Sequence, residues 1–316
     1  MAEIVRSLVI PVYRNEDNLP ELLSFLRKLN GKIDGLEIVF VIDGSPDGCF
    51  DRLANELPCQ PYPSQLILLS RNFGAFAAIR RGLEEARGSY FAVMAADLQE
   101  PEHLVIDFFK LLDAGNVDVV MGKRTDRDDP WLSALLSGVF WSMYRRFVIP
   151  DVPDGGVDVF ACNEKVRDAL MRLEEINSSL IGQLFWVGFR REFVAYKRQG
   201  RKAGKSAWNF RRKLRYMLDS VFSFSDLPIL MFLWIGGVGI LSSVMISLIV
   251  IVARLMSLIS IPGYTPIVLS IYFMGSLLLL GQGLIGSYVW RCNENTKRRP
   301  ITLVSIRKTF MPEDEV

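Results

Sequence analysis

The feature that most constrains this chain is a pair of long apolar stretches in its C-terminal third. No charged residue occurs over 229–252 or over 255–290, and the turn sequence PGYTP at 262–266 divides the second stretch. A helix of about 20 apolar residues crosses the hydrocarbon core of a bilayer. We therefore predict two membrane spans, at about 229–254 and 267–289, joined by a tight hairpin. Two buried core helices are the alternative, which is less favoured because these stretches are apolar on every face.

Basic residues flank both stretches, whereas only Arg254 lies between the two predicted spans. The positive-inside rule places such flanks in the cytoplasm. We therefore expect a multi-pass protein of the inner (plasma) membrane, with both termini and the preceding soluble domain in the cytoplasm. The flanking basic residues are Lys197, Arg198, Arg201, Lys202, Lys205, Arg211, Arg212, Lys213 and Arg215 before the first span, and Arg291, Lys297, Arg298, Arg299, Arg307 and Lys308 after the second.

The first 125 residues alternate apolar runs with helical patterns. Strands that are apolar throughout and separated by helices indicate a parallel sheet covered on both faces. The predicted fold class is therefore α/β, with a Rossmann-like, mostly parallel sheet followed by the two membrane helices. The predicted strands are 7–12, 37–43, 65–70, 90–95 and 117–122, and the predicted helices are 18–29, 74–86 and one that starts at Pro101.

Two further helices are predicted next to the membrane. Residues 131–147 and 207–225 place apolar residues at helical spacing beside basic ones, which is typical of interfacial helices. For 131–147, a helix packed on the core is an equally good interpretation. The predicted division is a catalytic domain at 1–206, a juxtamembrane amphipathic helix at 207–226, a membrane hairpin at 227–290, and a cytoplasmic tail at 291–316 that could form a β-hairpin.

Composition argues against several kinds of chemistry. A net charge of +2 does not suggest a nucleic-acid partner. The only histidine is His103, which argues against a His-based metal site and a Ser-His-Asp triad. The four cysteines contain no CxxC pair, so neither a zinc site nor a disulfide framework is indicated. The chain also lacks a GxGxxG after its first strand and a GxxxxGK[ST] motif, which argues against a dinucleotide fingerprint and a P-loop.

Polar residues follow the predicted strands, at the edge where ligands bind in parallel α/β folds. The stretch FAVMAADLQEP at 91–101 is an apolar strand followed by Asp97 and Gln99. Their hard oxygen atoms suit Mg²⁺ or Mn²⁺, which also share the phosphates of a nucleotide. Asp43 opens the segment DGSPD, which on its own is also an ordinary turn and cap pattern. Other polar residues after strands are Tyr13, Arg14, Asn15, Ser70, Arg71, Asn72, Lys123 and Arg124.

Several long motifs resemble those of family 2 glycosyltransferases of the polyprenyl-phosphate type. They are IPVYRNEDNLPEL, VFVIDGSPDG, LLSRNFGAFAAIRRGLEEARG, AADLQEP and RQGRKAGKSAWNFRRKL, in the order that the family has them. The resemblance covers nearly the whole chain, including the apolar stretches. It implies a GT-A fold, a nucleotide-sugar donor, a divalent metal, a polyprenyl phosphate acceptor, a lipid bilayer as environment and a homo-oligomer, with a tetramer as one possible form.

The resemblance also implies roles for individual residues. Asp97 and Gln99 match the acid and amide that hold the metal and the diphosphate, and Gly204 lies in the segment that matches R-x-x-G-x-S. The substrate-binding positions implied are Pro11, Tyr13, Asn15, Val41, Asp43, Ala96, Gln99 and Ser206. The catalytic positions implied are Asp97, Arg124, Asp158 and Arg201.

Three positions depart from the family pattern. Asn15 stands where an acid is common, and VDVF at 157–160 keeps Asp158 but lacks the arginine that follows it in the family. Ala95 replaces the first acid of a DxD pair. A single Asp with an amide is a weak site for Mg²⁺, so we expect metal binding to depend on the diphosphate of the donor.

The expected reaction is a single displacement at the anomeric carbon, with inversion. A UDP-sugar is the expected donor and undecaprenyl phosphate the expected acceptor, for modification of cell-envelope or O-antigen glycans. Two alternatives are a non-catalytic membrane scaffold that binds nucleotide-sugar and a processive polysaccharide synthase. The second would carry a Q-x-x-R-W motif, and the nearest string here is QLFW at 183–186.

Overall fold

The structure is a computed structural model. It describes residues 4–125, 145–146, 153, 157–175, 178–199, 221–222, 225, 227–256 and 264–312. Most of the predicted interfacial helices, 131–147 and 207–225, and the site residues Arg201, Gly204 and Ser206 lie outside these ranges.

The described chain alternates strands and helices as far as β5 and then adds strands from distant parts of the sequence. The strands are β1 Arg6–Val12, β2 Leu36–Ile42, β3 Ser64–Leu69, β4 Tyr90–Val93, β5 Val119–Arg124, β6 Val157–Asn163, β7 Arg191–Tyr196 and β8 Val304–Phe310. The helices are α1 Leu19–Asn30, α2 Cys49–Glu56, α3 Ala75–Glu85, α4 Glu102–Asp113, α5 Glu164–Met171, α6 Leu180–Trp186, α7 Leu227–Leu255 and α8 Tyr264–Thr296. Short 3-10 turns precede α1 and follow α2.

All eight described strands form one sheet in the order β7-β5-β6-β4-β1-β2-β3-β8. Strands β4, β1, β2 and β3 are parallel neighbours, and β5 pairs in parallel with β7. Strand β6 runs antiparallel between β4 and β5, and β8 runs antiparallel along β3. The prediction of an α/β fold with a mostly parallel sheet is therefore confirmed.

The sheet separates two apolar layers. Along β1, Leu8, Ile10 and Val12 face a cluster that contains α1, α2 and α4, whereas Val9 faces the cluster that contains α3, α5 and α6. This alternation follows from the period of two in a strand. Since both faces are covered, the strands are apolar throughout, which is the pattern that the sequence shows.

Sequence reasoning missed strands β6 and β7 and misjudged the tail. The segment VDVF was interpreted only as a motif, but it begins β6. The predicted hairpin in the tail is wrong for the described residues, because the tail forms one strand, β8, that joins the catalytic sheet. A seven-residue strand with alternating polar side chains gives no local indication of its partner, so only the tertiary structure shows it.

Two long helices, α7 and α8, follow β7 in the described chain, and Phe232 of α7 lies against Gly281 of α8. One segment among the described residues, Phe273–Thr296, is long and apolar enough to cross a membrane, and Pro228–Gly239 is a shorter apolar segment. Large apolar side chains such as Trp234 are exposed along both helices. The two helices are present, whereas the prediction that both span a membrane remains a proposal.

Candidate functional site

Most of the predicted site residues that the structure describes converge on one edge of the sheet. The parallel strands β1, β2, β4 and β5 end there, and Asp97 and Arg124 come from two of these ends. Because β6 is antiparallel, its first residues lie at the same edge, which brings the backbone of Asp158 next to the end of β5. Strand β7 ends there as well, with Arg198 two residues after it. The edge therefore collects residues that are far apart in sequence.

Asp43, at the end of β2, holds the loop that leads into α3. One carboxylate oxygen accepts from the backbone N–H of Phe73 at 2.7 Å, and the other from Gly74 N–H at 2.9 Å and Asn72 Nδ2 at 2.9 Å. The side chain is 2% exposed. Asp43 therefore anchors the loop before α3, a role that the turn and cap pattern did not predict, and a contact with a nucleoside stays a prediction.

The loops after β1 and β2 are tied to each other. Arg14 N–H donates to Ser45 Oγ at 2.8 Å, and Gly48 N–H donates to Glu16 Oε2 at 2.8 Å. Nearby, the Arg14 guanidinium lies 5.3 Å from the centre of the Tyr13 ring. Asn15 Oδ1 accepts from Asn18 Nδ2 at 3.2 Å, so this side-chain oxygen already has a hydrogen-bond partner three residues away. These contacts hold the loops after β1 and β2 together on one side of the site.

Two predicted positions serve packing in the structure, and a third lies within β1. Val41 is fully buried, with its side chain under Gly82 of α3, and Ala96 is 2% exposed in the core. Pro11 continues β1 beyond the point where the neighbouring β4 ends at Val93. A proline without an N–H is tolerated there because no strand partner requires the hydrogen bond. Contact of these residues with a substrate remains a prediction.

The loop that follows β4 is buried, not solvent-facing as a strand end is expected to be. Asp97 is 7% exposed, Gln99 8% and Glu100 3%. Leu98 has a φ of 54°, a left-handed conformation that is costly for a residue with a Cβ. Such strained residues cluster at functional sites because the surrounding structure holds them in place.

Gln99 is held by the segment that follows β7. Arg198 donates to Gln99 Oε1, Gln99 Nε2 donates to the carbonyl of Gln199 at 3.1 Å, and Gln199 N–H donates to the carbonyl of Gln99 at 2.9 Å. Three hydrogen bonds therefore join the two loops. Arg198 is a functional candidate that sequence reasoning counted only as part of a basic flank.

Burial and, second, the neighbouring Asp97 carboxylate raise the pKa of Glu100 to about 7, although Arg198 and the Ala95 backbone N–H act in the opposite direction. Burial also raises the pKa of Tyr196, with the Glu100 charge as the next cause and Arg124 opposing both. A carboxyl group whose pKa is shifted by burial and by a neighbouring charge is a candidate for a functional site. Neither Glu100 nor Tyr196 is among the site residues predicted from the sequence, although Glu100 directly follows Gln99.

The oxygen atoms at this edge could hold a divalent cation. Within the described ranges, no three His, Cys, Asp or Glu side chains converge as metal ligands. Asp97, Gln99 and Glu100 nevertheless present two carboxylates and an amide in one buried loop. The Oε2 atom of Glu100 has no hydrogen-bond partner among the described residues. A buried carboxylate oxygen without a hydrogen-bond partner is costly unless another group or ion binds it. Carboxylate and amide oxygens are ligands that Mg²⁺ or Mn²⁺ accepts.

The chain is similar in sequence to one protein family and to known proteins along nearly their whole length. Residues 7–169 match the family model described as Glycosyl transferase family 2. The chain is 31% identical to a protein of Synechocystis named "Uncharacterized glycosyltransferase sll0501", over 95% of this chain and 94% of that protein. It is 29% identical to the bactoprenol glucosyl transferase of Shigella phage SfX, over 96% of this chain and 99% of that protein.

Solved structures are similar at a lower level. Mannosyl-3-phosphoglycerate synthase from Rubrobacter xylanophilus superposes with a TM-score of 0.46 and 15% identity, covering 69% of this chain and 72% of that chain. A similarity of this size says nothing about substrates.

Proposed function

Because this chain belongs to glycosyl transferase family 2, we propose that it transfers a sugar from a UDP-sugar to a polyprenyl phosphate at the cytoplasmic face of the inner membrane. The chain is a glycosyltransferase, so the alternative of a non-catalytic scaffold is set aside. Relatives named bactoprenol glucosyl transferase support the polyprenyl-phosphate acceptor. Modification of cell-envelope glycans and a homo-oligomeric state are part of the proposal.

The proposal of a lipid-linked acceptor is supported by the place where the chain that follows α8 joins the sheet. Helix α8 ends at Thr296, and the carbonyl of Leu303 accepts from Ser70 N–H at 2.9 Å, directly after β3. Ser70 lies at the same edge as the site. Seven residues span at most about 25 Å, so the apolar helix ends close to the edge where the acid and amide lie. A lipid-linked phosphate would reach a site in that position.

The described residues fit the charge changes of this reaction. The leaving group is a nucleoside diphosphate, so negative charge develops on its oxygens, and Arg124 and Arg198 supply positive charge at this edge. A divalent cation at Asp97 and Gln99 would offset part of that charge. Arg201 and Ser206, by the resemblance, contact the phosphates.

The acceptor requires little activation. A phosphomonoester has a second pKa of about 6 and is therefore largely ionised at cytoplasmic pH. A strong general base is unnecessary, which fits a chain whose only histidine, His103, is exposed on α4. We propose that Asp158 positions the acceptor or balances its charge, and that a single displacement inverts the anomeric centre.

The test uses the full chain in detergent with undecaprenyl phosphate, Mn²⁺ and a panel of labelled nucleotide-sugars, and measures label in the lipid fraction. We expect one donor to give a single lipid-linked sugar. Lipid-free polymer would instead indicate the processive synthase. Absence of lipid-linked label with every donor would contradict the proposal.

Asp97→Asn should lower this transfer by about 10²-fold or more, because the amide keeps the shape of the side chain but removes the negative charge. The matched control is Asp34→Asn, an exposed residue before β2 at the opposite edge of the sheet. The control should transfer as wild type does. Wild-type transfer by Asp97→Asn would remove Asp97 from the mechanism.

A further inference from the structure

We propose that Glu100 supplies the second carboxylate of the metal site, which the family pattern takes from an acid at the position of Ala95. This inference rests on the proposed function only in that the reaction uses a divalent cation. It changes the expectation from sequence, in which a lone Asp97 with Gln99 depends on the diphosphate of the donor to complete the site.

The first reason is that Glu100 is buried without the partners that this chain gives to a structural glutamate. Glu37, at the opposite edge, is fully buried, and its oxygens accept from Ser7 Oγ at 2.8 Å, Gln65 Nε2 at 3.0 Å and Arg87 Nε at 2.6 Å. Glu100 is 3% exposed, yet its Oε2 has no hydrogen-bond partner among the described residues. A carboxyl group in that situation either takes up a proton or, when ionised, requires a cation beside it.

The second reason is the path of the loop. Leu98, at a φ of 54°, turns the chain back after Asp97. The turn brings the Glu100 carboxylate within reach of the backbone N–H of Ala95. The Glu100 carboxylate therefore lies next to the backbone of Ala95 and close enough to Asp97 for the two charges to interact.

One alternative is that Glu100 only balances the charge of Arg198. Arg198 donates to Gln99 Oε1, so its described hydrogen bond goes to the amide and not to Glu100. If Glu100 is a metal ligand, loss of its charge should weaken Mn²⁺ binding. If Glu100 only balances Arg198, loss of its charge should leave Mn²⁺ binding unchanged.

The test is calorimetric titration of the full chain in detergent with Mn²⁺, with and without UDP. We expect wild type to bind Mn²⁺ without UDP, and Glu100→Gln to weaken binding at least tenfold in both conditions. The double variant Ala95→Asp/Glu100→Gln should recover most of the affinity, because it returns a carboxylate to the same place. Glu102→Gln is the matched control, since that residue pairs with Lys32 at 2.9 Å outside the loop and should bind Mn²⁺ as wild type does.

If Glu100→Gln binds Mn²⁺ as wild type does and has a normal unfolding temperature, the proposal is overturned. Glu100 would then only balance the charge of Arg198. If Glu100→Gln does not fold, Ala95→Asp alone decides. With Glu100 already a ligand, that variant should change Mn²⁺ affinity by less than about threefold, whereas a site that lacks a second carboxylate should gain tenfold or more. Since these titrations need neither sugar nor acceptor, a failed transfer assay with the expected binding would reject the proposed function and leave this inference standing.

Discussion

At the scale of single residues, the shape of the site depends on backbone conformations that few side chains allow. Gly44, after β2, has a φ of +55°, and a Cβ there would lie 2.2 Å from the backbone carbonyl carbon of Arg71. The loops after β2 and β3 can therefore touch only because Gly44 has no side chain. The same contact lets Asp43 reach Phe73 and Gly74.

Gly44→Ala should lower the free energy of unfolding by more than about 2 kcal/mol, because the left-handed conformation alone costs about 1–2 kcal/mol for a residue with a Cβ and the clash adds to it. Gly115→Ala is the matched control, with a φ of +73° and open space around the added Cβ. It should cost about 1 kcal/mol. Thermal or denaturant unfolding in detergent measures both, and equal losses would show that the contact with Arg71 has room to relax.

At the scale of elements, β8 connects the long helices α7 and α8 with the sheet. It covers the outer edge of β3 over six paired positions, from Ser64–Phe310 to Leu69–Val304. Arg81 of α3 donates to Thr302 Oγ1 at 2.9 Å, and Arg307 of β8 pairs with Glu85. The end of α8 is thereby attached to the same layer that supports the site.

Removal of residues 303–316 should destabilise the catalytic domain, because it leaves the edge of β3 unpaired and exposes that edge to aggregation. Arg307→Ala is the comparison, since it removes the exposed ion pair with Glu85 and keeps the strand, and should cost less than about 1 kcal/mol. Unfolding temperature and limited proteolysis in detergent report the difference. A truncated chain as stable as Arg307→Ala would mean that β8 contributes only through that ion pair.

At the scale of the whole molecule, the proposal requires that the catalytic domain and the end of α8 lie on the same side of the membrane. Two of the four cysteines, Cys59 in the catalytic domain and Cys292 near the end of α8, are exposed, whereas Cys49 and Cys162 are buried. The native chain therefore carries one thiol probe at each place.

A membrane-impermeant maleimide should label Cys59 and Cys292 in inside-out vesicles and neither of them in right-side-out vesicles, as the positive-inside rule requires. A cysteine introduced by Ser260→Cys, between the two helices, should show the reverse pattern. Labelling of Cys59 and Cys292 from opposite faces would contradict a two-span hairpin and would leave a single crossing by α8. Mass spectrometry of the tryptic peptides identifies each labelled thiol.

The sequence by itself determined the class of the protein and indicated where its candidate site lies, because both depend on local patterns. Apolar runs over β1 to β5 predicted the parallel sheet, and the polar residues that end those strands predicted one ligand-binding edge. The long uncharged stretches predicted two helices at the C-terminal end, which the structure shows as α7 and α8. Family motifs carried the chemistry, although Arg201 and Ser206 lie outside the described residues and their roles remain predictions.

Only the tertiary structure decided which groups meet. The turn at Leu98, with its φ of 54°, returns Glu100 to Ala95. The pairing of β8 with β3 joins residues more than 200 positions apart, and the contact of Arg198 with Gln99 joins two loops 99 positions apart. A local pattern predicts that a segment is a strand or a turn, but its partner depends on loop closure and packing across the whole chain. The motif therefore pointed to Asp97 and Gln99, whereas the folded loop pointed to Glu100.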